Sequence, residues 1–297
     1  MFREGVNPTV AKGDVQLGTF EATMATQMAA WRTCSRPRAP PGRCCASAST
    51  SRGRMEAGER PRVKVCGVTT PEDARLAADS GADYVGMICW SGSKRDVKGK
   101  AKEVAQAAKE GGSIPVCVFV DGTAEDIVAK CEEADVEYAQ LHGEEARRAL
   151  PEIPTKIKVI YAISADAEGN VLTPMPSQVV DEYNRAKASV RKQRNPVTTA
   201  YDWVSGGRRT VEWLLIDGVR AGSGETFGWN KLKVPKGCSR KGWLLAGGLG
   251  PDNVQLALET LRPDGVDVAT GVSDEGGVRK DETKVKAFVQ AVERTAA

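Results

Sequence analysis

From Arg62 onward the chain repeats one unit, a short apolar run suited to a buried strand followed by a stretch with helical spacing. Eight such runs can be read: Arg62–Cys66, Tyr84–Ile88, Pro115–Val120, Tyr138–Leu141, Lys156–Ile163, Trp213–Asp217, Trp243–Ala246 and Gly265–Ala269. Strands separated by helices pair in parallel, because the chain must cross back over a helix to lay down its neighbour. Eight units over residues 62–297 match one closed (β/α)8 barrel, a fold of about 250 residues. An open doubly wound sheet would need a Gly-rich dinucleotide fingerprint after its first strand. Cys66-Gly67-Val68-Thr69-Thr70 is not one.

Helix starts are marked locally. Thr70 precedes Pro71, Glu72 and Asp73, which reads as an N-cap, a proline at the first helical position and an acidic first turn. Thr123 stands before a face of Ile127, Val128 and Cys131, and Asp281 before Val285, Phe288, Val289 and Val292. Pro251 reads as the first helical residue after the seventh strand. The connection at about 164–210 reads as an insertion, with one helix carrying Val179, Tyr183, Ala186 and Val190 on a face.

The first sixty residues differ from the rest. Met24 to Met55 holds no Asp, Glu or Lys, but carries Arg32, Arg36, Arg38, Arg43, Arg52 and Arg54 among Ser, Thr, Ala and Pro. That composition predicts a disordered leader over 1–60, an organelle transit peptide, with the barrel over 61–297. A net charge of +3 gives no reason to expect nucleic acid or a membrane surface as partner. No apolar run approaches the roughly 18 residues that span a bilayer. The eight cysteines include no CxxC pair, and His142 is the sole histidine, so no metal site is expected. Cys89, Cys117 and Cys131, each inside an apolar segment, read as packing residues.

Barrels of this kind keep their chemistry at the C-terminal ends of their strands. Cys66 ends the first run and Asp217 the sixth. A thiol and a carboxyl facing one pocket predict a base and an acid, and proton transfer without a cofactor. Gly247 and Gly248 follow the seventh strand, and Thr270 and Gly271 the eighth, where such barrels bind phosphate. A further Gly-rich turn, Gly222-Ser223-Gly224, follows the sixth. Because side chains alternate along a strand, Lys64 shares a face with Cys66 one layer down inside the barrel. A lysine there needs a partner. Asp267, on the strand that closes against the first, predicts a buried pair that would also favour the Cys66 thiolate.

In order along the chain, Lys64-Val65-Cys66-Gly67-Val68-Thr69, Ser93-Lys94-Arg95, Val118-Phe119-Val120, Gln140-Leu141-His142-Gly143, Gly222-Ser223-Gly224, Leu245-Ala246-Gly247-Gly248-Leu249 and Gly265-Val266-Asp267-Val268 together resemble the phosphoribosylanthranilate isomerase family of tryptophan biosynthesis. Asp217-Gly218 stands where that family commonly has Asp-Ser, and Ala269-Thr270-Gly271 where it has Ser-Ser-Gly. The resemblance implies an Amadori rearrangement of a small phosphosugar, with Asp217 as acid, Cys66 as base, and neither cofactor nor metal. It also implies that Arg95 pairs with the anthranilate carboxylate, that Gln140 and Asp267 orient the substrate, and that His142 is structural. With the leader, it implies a chloroplast form. The alternative is a non-catalytic barrel that binds a phosphosugar.

Overall fold

The computed structural model describes residues 60–192, 210–218 and 231–295. The expected leader, except Arg60, and the Gly222-Ser223-Gly224 turn lie outside the described residues. Eight strands, β1 (Arg62–Val65), β2 (Tyr84–Ile88), β3 (Ile114–Phe119), β4 (Tyr138–Leu141), β5 (Lys158–Ala165), β6 (Trp213–Gly218), β7 (Trp243–Leu245) and β8 (Gly265–Val268), form a closed barrel in sequence order. Every pairing is parallel, and β8 closes on β1 with Lys64 opposite Asp267. The (β/α)8 expectation holds.

The helices are α1 (Pro71–Asp79), α2 (Ala101–Glu110), α3 (Ala124–Glu133), α4 (Glu144–Arg148), α5 (Pro176–Lys192), α6 (Val254–Leu261) and α7 (Glu282–Arg294). Thr70 caps α1 through its hydroxyl, which accepts from the Asp73 N–H at 3.2 Å. Thr123 and Asp126 form a reciprocal capping box on α3, and the Asp281 carboxylate accepts from the Lys284 N–H. Helix α6 departs from expectation: it starts at Val254, after a turn that contains Pro251. The Asn253 side chain does not cap it. Its amide is used on the preceding loop, accepting from Gly250 N and donating to Gly248 O, both at 2.9 Å. The long connection after β5 is partly regular. β5 runs on to Ala165, and α5 is the crossover helix of the fifth unit, with Val179 and Val180 packed on the core.

Two apolar layers result. Val63, Val65, Met87, Cys117, Leu214, Ile216 and Phe288 pack between sheet and helices. Cys117 and Cys131 are buried there and Cys89 partly so; all three are free thiols, held by burial and mutual contact, as packing residues are. Inside the barrel, Tyr84, Tyr138 and Trp213 begin β2, β4 and β6 and meet edge to face, with Trp213 Nε1 donating to Tyr84 Oη at 3.1 Å. Gly265 begins β8 and adds no side chain to this layer. These aromatics fill the N-terminal end, leaving the opposite end for loops.

Candidate active site

Cys66 is the first residue beyond β1. Its N–H donates to Val268 O at 2.8 Å, and Gly67, at φ +70°, then turns the chain away. Below Cys66 lies Lys64, fully buried, whose Nζ donates to Asp267 Oδ1 at 2.8 Å. The predicted pair is therefore present. Gly86 on β2 makes room for both groups. A Cβ there would stand 2.8 Å from Cys66 Sγ and 2.9 Å from Lys64 Nζ. Burial pushes the Cys66 thiol above its ordinary pKa; the Lys64 charge pulls it down without prevailing. The expected help toward the thiolate is real in sign, but the resting group is a thiol.

Asp217 lies near the end of β6, opposite Ser164, and is 7% exposed. Burial, and then the Asp267 carboxylate, raise its carboxyl to about 7 against the Gly218 N–H and Lys64. Oδ1 is buried with no hydrogen-bond partner among the described residues, while Oδ2 is 3.8 Å from His142 Nε2. Gln140 Nε2 lies 3.1 Å from His142 Nδ1. With that amide donating, the imidazole proton sits on Nε2, the nitrogen facing Asp217. Burial lowers His142 to about 4, so it is a neutral neighbour and not an ion-pair partner. Gln140 Oε1 is also buried without a partner among the described residues. Lys64 and Asp267 act electrostatically on both Cys66 and Asp217.

The mouth is built from the loops after β2, β7 and β8. Arg95, 6% exposed, donates from Nε to Gly277 O at 2.6 Å and from Nη2 to Thr270 Oγ1 at 2.9 Å. Its stem crosses Gly67, where a Cβ would come within 2.7 Å of Arg95 Cδ. Gly247 and Gly248 take φ of +89° and +64°, a region open to glycine at no steric cost. Gly271 packs so closely on Leu249 O that a Cβ would approach to 2.0 Å, which joins the two phosphate-type loops. Thr270 and Gly271 lie in a 3₁₀ turn, Thr270–Val272.

Sequence reasoning missed Lys280, a buried amine donating to Ala269 O at 3.0 Å and Ser273 Oγ at 3.2 Å. Burial lowers it to about 8, and the Cys66 charge acts on it in the opposite sense. It also missed the clamp that sets this loop. The buried Asp73 of α1 accepts from Arg279 Nε and Nη2, each at 3.0 Å, and from Lys280 N at 3.1 Å. The available signals, Asp73 in a first helical turn and a basic pair before a cap, have ordinary local explanations.

The profile of the family described as N-(5′-phosphoribosyl)anthranilate (PRA) isomerase matches residues 63–184 and 181–291. The chain belongs to that family. N-(5′-phosphoribosyl)anthranilate isomerase 1, chloroplastic, of Arabidopsis thaliana is 37% identical over 235 residues, covering 79% of this chain and 75% of the relative. The isomerase of Chlamydia caviae is 36% identical over 237 residues, covering 79% and 98%. The solved phosphoribosylanthranilate isomerase of Thermotoga maritima superposes with TM-score 0.56 at 27% identity, over 79% of this chain and 99% of its own. Another solved isomerase, in complex with reduced 1-(o-carboxyphenylamino)-1-deoxyribulose 5-phosphate, has TM-score 0.53 at 25% identity, over the same shares. The isomerase family thus accounts for the barrel from β1 to α7.

Proposed function

We propose that this chain converts N-(5′-phosphoribosyl)anthranilate to 1-(2-carboxyphenylamino)-1-deoxyribulose 5-phosphate, the isomerisation of its family. The observation that carries this reading is the pairing of a thiol at the end of β1 with a carboxyl on β6 whose pKa is raised to about 7. A carboxyl that holds its proton near neutral pH can deliver it to the ribose ring oxygen, opening the ring to a protonated Schiff base. Cys66, as thiolate, removes the C2 proton, and the enolamine formed tautomerises to the ketone. Asp217 ends one proton short and Cys66 one proton richer, so exchange with water resets both. Family membership and the intact pair favour this over a non-catalytic phosphosugar-binding barrel.

The loops supply the binding groups. Arg95, fixed through Gly277 and Thr270, serves the anthranilate carboxylate through its remaining donors. Gly247, Gly248, Thr270 and Gly271 serve the phosphate, and Gln140 and Asp267 orient the substrate. Residues 1–60 direct the chain to the chloroplast, a reading supported by leader composition and by the chloroplastic plant relatives. Purified protein given phosphoribosylanthranilate should discharge its fluorescence with saturation kinetics. Binding without turnover would replace this reading with the non-catalytic one.

A further inference from the structure

The proposed chemistry needs Asp217 protonated and Cys66 ionised, whereas burial favours neutral forms of both. Something near the sulfur must hold a negative charge there when the base acts. The charged groups acting on Cys66 come from three sides: Lys64 of β1 and Asp267 of β8, Lys280 before α7, and Arg95 after β2. Of these, Lys64 is the one whose charged end shares the space over Gly86 with the sulfur, a Cβ there standing 2.8 Å from Sγ and 2.9 Å from Nζ. It is fully buried, fixed at 2.8 Å to Asp267 Oδ1, and lodged with Sγ over Gly86, where a methyl would crowd both.

We propose that Lys64 is a positioning residue for Cys66: anchored on Asp267 and given room by Gly86, its ammonium holds the thiolate that takes the C2 proton. The thiol proton leaves to water before substrate seats, the sulfur regains one from C2, and Lys64 keeps its own protons throughout. Asp267 keeps Lys64 charged and aimed, a role distinct from touching substrate. A buried ion pair alone would stabilise the closure of β1 on β8; its place beside the sulfur, over Gly86, gives it a chemical consequence as well.

This inference rests on the isomerase reading of Cys66, so its test reads the thiol without substrate. In the full-length chain, iodoacetamide alkylation of Cys66 is followed by peptide mass spectrometry across a pH series, with Cys238 as reference thiol. Lys64→Met strands a buried carboxylate and risks the fold. The double variant Lys64→Met/Asp267→Leu removes the pair as a unit, a replacement that buried pairs often tolerate. Gly86→Ala keeps both charges but displaces them. In the double variant, and in Gly86→Ala, Cys66 should alkylate at least about tenfold more slowly at a given pH, the factor for one pKa unit, with Cys238 unchanged. In Gly86→Ala, kcat should fall in the same proportion with KM little moved. Equal Cys66 rates in the folded variants overturn the proposal. So does slowed alkylation in Gly86→Ala with kcat intact. A wild-type protein without isomerase activity would sink the proposed function, while the alkylation result would still decide the role of Lys64.

Discussion

At the scale of single residues, the site is defined by two groups that burial drives toward neutrality. Cys66→Ser should keep the fold, read by circular dichroism, and lower turnover by ~10² to 10⁴-fold, the usual contribution of a general base. The pH profile follows from the direction of the two shifts. Burial raises Asp217 to about 7 and Cys66 above the ordinary thiol value, so in the proposed mechanism the active combination, acid protonated and thiol ionised, is a minor form. For the free enzyme, kcat/KM should rise up to about pH 7, level off, and fall past the Cys66 titration. Asp217→Asn should remove the limb near 7 and lower turnover by a similar ~10² to 10⁴-fold. A raised carboxyl also stabilises the native state below the unfolded pKa and loses that contribution as pH rises through the folded one. Urea titrations should therefore show wild type gaining on Asp217→Asn as pH falls from about 7 to about 4, the ordinary carboxylate range.

At the scale of elements, the seam between β1 and β8 is bridged on its inner side by one ion pair with Lys64 at 0% side-chain exposure. Lys64→Met should cost about 3–5 kcal/mol in chemical denaturation, because it leaves the Asp267 carboxylate buried alone. That pair was legible in the sequence because strand alternation and barrel closure fix which side chains meet. Thr70, Thr123 and Asp281 were legible because a cap is a contact three residues away. Pro251 misled for the same reason: local rules allow a helix there, but Asn253 is occupied by the loop before it. Lys280 was not legible at all. Its loop is held by a carboxylate 207 residues earlier, and nothing in its sequence neighbours distinguishes it from a solvated loop lysine.

At the scale of the whole molecule, the eight strands close into a barrel that begins at Arg62, and every proposed site residue lies within it or its loops. A chain beginning at Arg60 should match the full-length protein in kcat and KM. A fluorescent fusion of residues 1–60 should enter plastids, and its retention in the cytosol would refute the targeting role alone. No described helix is long and apolar enough to cross a membrane. The aromatic layer of Tyr84, Tyr138 and Trp213, each 3% exposed, has a consequence for traffic. Among the described residues it closes the floor of the barrel and leaves the loop end as the way in. On the proposed mechanism, substrate, product and the water that restores Asp217 and Cys66 all share that end. In the proposed mechanism, then, the site is entered, emptied and reset from one side of the barrel.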